Sequence, residues 1–279
     1  MSQDTYHTVQ TQYGNIAKDT SNPTTRQDTD DKIAQAFGYS AADLSSLPEK
    51  TNLGVSCGNP TAFASIKSGE TIVDLGSGGG IDVLLAARKV GEQGRAIGVD
   101  MTEDMISLAR RNAKSAGLAN AEFIKSTITS IPLAESSVDC IISNCVVNLV
   151  PKEDKPAVFT EMARLLKAGG RVAISDILAR KQLPQDILDD MALYVGCVSG
   201  ASLVPEYEEW LTRAGFTDIL IVDTKADINV YKESCGDSGE GNCCGSGKGS
   251  GRLPAAKFAD VDFNEWVGSF QIYAVKAGQ

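Results

Sequence analysis

Ile72-Val73-Asp74-Leu75-Gly76-Ser77-Gly78-Gly79-Gly80-Ile81 decides the fold. An apolar pair runs into a glycine-rich turn, and the turn opens onto a helical pattern from Ile81 to Ala87. A strand that passes through such a turn into a helix start is the geometry that seats a nucleotide-like cofactor. The acid at the head of the turn narrows the choice. Asp74 falls at the strand's end, where it would repel a pyrophosphate and attract a cationic amino group. The dinucleotide spacing G-x-G-x-x-G also fails in both registers, because it needs a small residue where Ile81 and Val83 stand. S-adenosylmethionine fits better, with Gly76, Ser77, Gly78 and Gly80 letting its methionine end approach bare backbone. Twenty residues past Gly80, the run Ala96-Ile97-Gly98-Val99 ends in Asp100, an acid placed to accept from both ribose hydroxyls.

Working outward, strands and helices alternate regularly. Strands are expected at 71–75, 95–100, 121–126, 138–143 and 171–177, with helices at 81–90, 103–116 and 152–167. Thr102 reads as an N-cap, with Glu103 and Asp104 acidic in the first turn, and Gly117 and Gly169 mark helix ends. Such alternation predicts an α/β, doubly wound, mostly parallel sheet with its ligand crevice at the strands' carboxyl ends. Farther on, helical patterns at 184–195 and 205–214 precede strand-like segments at 218–223 and 269–275. These two strands are expected to close one edge as an antiparallel pair. Residues 1 to about 50 read as polar and turn-rich, with short helical patterns at Gln10–Ala17 and Asp30–Phe37. The expected organisation is an N-terminal segment over 1–68, a cofactor-binding core over 69–179 and a C-terminal region over 180–279. An insert rich in Gly and Ser, 234–251, carries Cys235, Cys243 and Cys244.

Composition limits the partners. With 279 residues and 42% hydrophobic content the chain can bury a real core. A net charge of −10 and no basic cluster argue against nucleic acid. The start, Met1 to Thr5, is unlike a targeting signal, and the apolar run Cys140 to Val150 is too short and too interrupted to span a bilayer. A cytoplasmic protein with no membrane partner is expected, its seven cysteines mostly thiols.

The residues past the fourth strand, Ser143-Asn144-Cys145-Val146-Val147, should face the transferred methyl group. They include no base, and the single histidine, His7, lies in the polar N-terminal stretch. An acceptor with its own lone pair needs no base. The group on offer is a thiol, and thiolates select soft elements. Cys57, Cys145 and Cys197 each stand in small, glycine-bearing surroundings outside the strands, whereas Cys140 lies inside Val138 to Ile142 and reads as packing. Each of the three taken alone reads more readily as a buried packing residue than as a ligand. Zinc is a poor fit, since there is no C-x-x-C pair and no suitably placed histidine.

On the segments Asn52-Leu53-Gly54-Val55-Ser56-Cys57-Gly58-Asn59-Pro60, Val73 to Gly80, Ser143 to Leu149, and Gly196-Cys197 followed by Ser199-Gly200-Ala201, the chain resembles the arsenite S-adenosylmethionine methyltransferase family, over residues 10 to about 225. The resemblance implies a class I methyltransferase-type sheet of seven strands. It implies trivalent arsenic held by Cys145 and Cys197, with Cys57 as third thiol, and S-adenosylmethionine as methyl donor giving mono- and dimethylated products. It further implies arsenite or its thiol conjugates as substrate and thioredoxin or glutathione as reductant. The donor would rest on Asp74, Gly76, Ser77, Gly78, Gly80 and Asp100, with Met101, Thr127 and Ile128 beside the adenine and Asn144 nearby. Tyr13-Gly14 resembles the family's N-terminal cofactor-side segment, and the vicinal Cys243-Cys244 could relay the metalloid inward. Two departures stand out: residues 1–56 hold no upstream cysteine, and Ser126-Thr127-Ile128 lacks the acid that would contact the adenine. Alternatives left open are a methyltransferase for another soft acceptor (a thiol, selenium or tellurium) and a metalloid-binding module without turnover.

Overall fold

A computed structural model describes residues 2–18, 23–233 and 260–278. The expected thiols Cys235, Cys243 and Cys244, with the 234–251 insert, lie outside the described residues.

One seven-stranded sheet organises the chain. Its strands are β1 (Thr71–Leu75), β2 (Arg95–Asp100), β3 (Ala121–Lys125), β4 (Val138–Asn144), β5 (Leu166–Ala179), β6 (Phe216–Asp223) and β7 (Val267–Lys276). Their spatial order is β3-β2-β1-β4-β5-β7-β6. The first five run parallel, and β7 is antiparallel to both β5 and β6. The edge pair is therefore as expected, with β7 inside and β6 outermost. Because β6 returns to the parallel direction, the chain leaves it at the sheet's carboxyl edge.

Near-continuous apolar runs such as Ile141-Ile142 suit strands covered on both faces. The helices Ile81–Val90 and Glu103–Ser115 cover one face through Val83, Leu84, Ile106 and Ala109. Lys155–Leu165 and Val204–Arg213 cover the other, where Phe159, Tyr207 and Trp210 pack as an aromatic triad. A third apolar cluster lies at the carboxyl ends of β4 and β5. It gathers Cys57, Cys145 and Cys197 with Val9, Phe37, Leu149, Ile177 and Tyr231.

Several expectations need correction. The N-terminal residues are mostly helical, at Ser2–Lys18 and Pro23–Ala36. The first is a polar helix whose Tyr6, Val9, Tyr13 and Ile16 recur at spacings of three and four, the period of one helix face. Residues 184–195 form two short helices, because the Asp190 carboxylate accepts from the amides of Ala192 and Leu193 and starts a new one. The helix expected from 152 begins at Lys155, after a turn from Pro151 to Asp154. β5 starts earlier than 171 because its pairing with β4 jumps from Leu166 to Arg171, with Gly169 left-handed in the intervening bulge. Thr102 occupies its N-cap position, but its side chain makes no capping hydrogen bond. Gly117 is left-handed after the helix Glu103–Ser115, as a helix stop should be. Among the described residues no helix is long and apolar enough to cross a membrane.

Candidate active site

A pocket opens at the carboxyl ends of β1, β2 and β4. Asp74, Gly76, Ser77, Gly78, Asp100, Met101, Thr127, Ile128, Asn144 and Cys145 all line it. Of the expected donor residues only Gly80 stands back. It is left-handed and caps the following helix, and a Cβ there would press on the Phe123 ring at 3.2 Å. Gly76 is also left-handed, with space for a Cβ taken by Val146 at 2.3 Å. At Gly78 nothing lies within 4 Å of that position, so the backbone is bare toward the pocket.

The electrostatics point to a cationic ligand. Asp74, Asp82 and Asp100 line the pocket, and no Lys, Arg or His lines it among the described residues. Burial raises Asp74 well above the usual carboxylate range, and the neighbouring charges of Asp82 and Asp100 add to the rise. Its carboxylate makes no hydrogen bond among the described residues. Burial likewise pushes Asp82 up to about 6, against hydrogen bonds from Tyr39 and Asn144 that favour its charge. Asp100 is raised by burial too, while the amides of Gly78 (3.0 Å) and Thr102 (2.8 Å) donate one bond to each of its oxygens. The Ser77 hydroxyl is buried and also unpartnered. Buried acids with no cation in the lining, together with an orphan hydroxyl, fit the ammonium and ribose of an adenosyl-methionine donor and disfavour a diphosphate.

Beside this pocket the three cysteines converge. Their sulfur atoms lie within 4.8 Å of one another, and each residue is at most 3% exposed. The Cys57 and Cys145 sulfurs adjoin, with Cα atoms 5.7 Å apart, a separation that a disulfide can span, while the Cys197 thiol donates to the Cys145 carbonyl at 2.9 Å. Cys140 is buried in the sheet with its thiol pushed up to about 12 by burial, in keeping with packing.

Local geometry explains how positions so far apart in sequence meet. Cys145 and Cys197 both adopt left-handed backbone, at φ 58° and 66°. That costs an L-residue about 1–2 kcal/mol, a strain characteristic of functional sites. The Cys145 amide donates to the Ser175 carbonyl (2.9 Å), which anchors the turn after β4 on β5. Cys57 reaches the same strand because Gly58 packs where a Cβ would sit 2.6 Å from Ser175. Its amide donates to Asn144 Oδ1 at 3.0 Å, and Ser269 donates to its carbonyl at 2.6 Å. The Asn144 amide also donates to the Gly58 carbonyl (2.7 Å), to Tyr39 (2.9 Å) and to Asp82 (3.3 Å), so this side chain ties the Cys57 loop to the acid side of the pocket it lines. Cys197 comes back to the end of β5 through Ala179, which bonds the Ser202 carbonyl.

Sequence reasoning missed Asp82, Tyr6 and Val9 in the lining, and Tyr39 behind it. An acid in the first helical turn after the glycines, Asp82, was the available signal. Tyr13 does line the pocket, and its hydroxyl donates to the Val195 carbonyl at 3.4 Å. His7 is exposed.

The parallel core, the reversed β7 and the acidic glycine turn define an α/β enzyme of the methyl-donor-binding type. A family model described as Methyltransferase domain matches residues 66–215, and the chain belongs to that family. Among curated relatives, an arsenite methyltransferase of Halobacterium salinarum is 45% identical over 194 residues, which is 70% of this chain and 49% of that protein. An arsenite methyltransferase of Homo sapiens is 35% identical over 154 residues, 52% of this chain and 40% of that one. The chain thus spans about half or less of these relatives' length. Among solved structures, an arsenic (III) S-adenosylmethionine methyltransferase from Chlamydomonas reinhardtii aligns with a TM-score of 0.60 at 27% identity, covering 88% of this chain and 73% of that one. The resemblance drawn from the cysteine motifs is thus found again in comparisons that cover 52–88% of this chain.

Proposed function

We propose that the protein is an S-adenosylmethionine-dependent arsenite methyltransferase, transferring methyl groups to As(III) bound by Cys57, Cys145 and Cys197. The observation that carries the reading is the convergence of three buried sulfurs within 4.8 Å beside an acidic, donor-type pocket. Asp74 and Asp82 would hold the ammonium, Asp100 the ribose, and Met101, Thr127 and Ile128 the adenine. Bound there, S-adenosylmethionine supplies a methyl group on a positive sulfur.

Three thiols exchange for the oxygens of arsenite with loss of three waters, giving a neutral centre that keeps its lone pair. The apolar cluster around the sulfurs suits a neutral centre and excludes water. The chain's part is positioning: Cys145 lines the donor pocket, and the other two sulfurs within 4.8 Å of its own would set the lone pair toward the methyl group without any base. Carbon–arsenic bond formation raises arsenic formally by two, and return to the trivalent state takes two electrons. Two thiols supply them by joining as a disulfide, and the adjoining sulfurs of Cys57 and Cys145 suit that step. Thioredoxin or glutathione would then reopen it by thiol exchange. Mono- and dimethylated products and a cytoplasmic setting belong to the same reading. So does a division into an N-terminal segment bearing Cys57, a donor-binding core over 69–179 and an arsenic-binding C-terminal region.

The test is product analysis by mass spectrometry with reductant, arsenite and donor. Cys145→Ser and Cys197→Ser should each abolish methylated arsenic while donor binding persists. Full activity in either variant overturns the assignment.

A further inference from the structure

Beneath the Cys197 turn lies a buried polar group that methyl transfer does not use. Asn148, Asp176 and Tyr207 are 0% exposed, and Lys155 is 2% exposed. The Asn148 amide nitrogen donates to Asp176 Oδ1 (2.8 Å), to the Ile177 carbonyl and to the Cys197 carbonyl (3.3 Å). Asp176 is itself oriented by the Tyr207 hydroxyl at 2.7 Å and the Ile177 amide at 2.9 Å. Lys155 donates to the Gly200 carbonyl and to Ser202 Oγ (2.9 Å).

The segment that starts at Cys145 therefore grips the Cys197 turn at both ends, by Asn148 and by Lys155. The backbone fits the grip closely, since a Cβ at Gly200 would lie 2.1 Å from the Asn148 carbonyl oxygen. One detail separates this from ordinary packing. Asn148 Oδ1 is buried without a hydrogen-bond partner. A buried orphan acceptor costs stability that an apolar residue of similar size would not. What the asparagine supplies in return is its pair of N–H donors, and one of their acceptors is the carbonyl of a strained, left-handed cysteine.

We infer that Asn148 is a positioning residue, which fixes the Cys197 turn so that its sulfur meets those of Cys145 and Cys57. The inference rests on the three-thiol reading above, but its geometry can be tested without arsenic. The test uses the reduced full chain carrying Cys57→Ser, with and without Asn148→Ala. A short bifunctional thiol reagent, dibromobimane, bridges sulfurs at the separation seen here, and peptide mapping identifies the Cys145–Cys197 bridge. Arsenite affinity and donor affinity are measured alongside in the Cys57-containing chain.

Asn148→Ala should slow bridging and weaken arsenite binding, each by about tenfold, while donor affinity stays within about twofold. Bridging and arsenite binding at the unsubstituted level would overturn the inference. So would a loss of donor affinity by the same factor, which marks a merely structural residue. Should the alanine variant not fold, Asn148→Ser keeps one donor and is read by the same three measurements. If the unsubstituted chain bridges well but ignores arsenite, the arsenic reading fails and the positioning role is still decided by the bridging rates.

Discussion

Replacing Gly76 with alanine should injure both halves of the site through one contact. The new Cβ would stand 2.3 Å from Val146 Cγ2 and 2.6 Å from Val146 Cβ, where carbon atoms ordinarily rest about 3.5–4.0 Å apart. Val146 follows Cys145, so the clash pushes on the thiol turn from the donor side. Two costs combine. The left-handed backbone, φ 70°, costs alanine about 1–2 kcal/mol, and overpacking adds about 1–3 kcal/mol. The sum, about 2–5 kcal/mol, is a large part of a typical domain's stability. Urea unfolding of Gly76→Ala, Val146→Ala and the double variant separates the two costs. Trimming Val146 relieves the clash but leaves the backbone strain, so the double variant should recover about 1–3 kcal/mol relative to additivity. Strict additivity, or a Gly76→Ala midpoint equal to that of the unsubstituted chain, would refute the reasoning.

Further expectations are cheaper to check. Gly78→Ala meets no protein atom within 4 Å, so it should cost only about 1–2 kcal/mol of stability from its left-handed backbone yet weaken donor binding in calorimetry. Asp74→Asn should lower donor affinity by about 10- to 100-fold, as for one buried hydrogen bond to charge. Because Asp82 is pushed up to about 6, it takes up protons below that pH and loses its hold on a cation. Donor affinity should therefore fall as pH drops through about 6, with a flatter profile in Asp82→Asn. Asp176 is also pushed up to about 6, by burial, so the folded chain binds more protons than the unfolded between about 4 and 6. Stability should fall across that window as pH rises, and the melting temperature of Asp176→Asn relative to the unsubstituted chain should climb over the same range.

Most of the fold is legible in the chain because strands and helices covered on one or both faces leave strong apolar patterns. The glycine turn, Asp74 and Asp100 declare the donor pocket through backbone chemistry that few side chains can replace. What the sequence hides is of two kinds. The helix Ser2–Lys18 is mostly polar, and it lines the pocket through Tyr6, Val9 and Tyr13, an apolar face of only a few residues. The break at Asp190 is a local choice, in which a carboxylate competes for backbone amides that a single helix would have used. Asn144 shows the limit for site residues. Its place after β4 put it near the donor, and its side chain also ties the Cys57 loop to Tyr39 and to the pocket acid Asp82, a bridging role that spacing does not disclose. Side-chain partners of this sort follow from packing across the sheet, not from spacing along the chain.

The central claim is that three sulfurs take one arsenic atom beside the donor pocket. X-ray absorption at the arsenic edge, on reduced protein loaded with one equivalent of arsenite, measures this directly. Three sulfur neighbours and no oxygen are predicted, falling to two sulfurs in Cys57→Ser. An arsenic shell that keeps its oxygens, or is unchanged by loss of any one of Cys57, Cys145 and Cys197, would contradict the account.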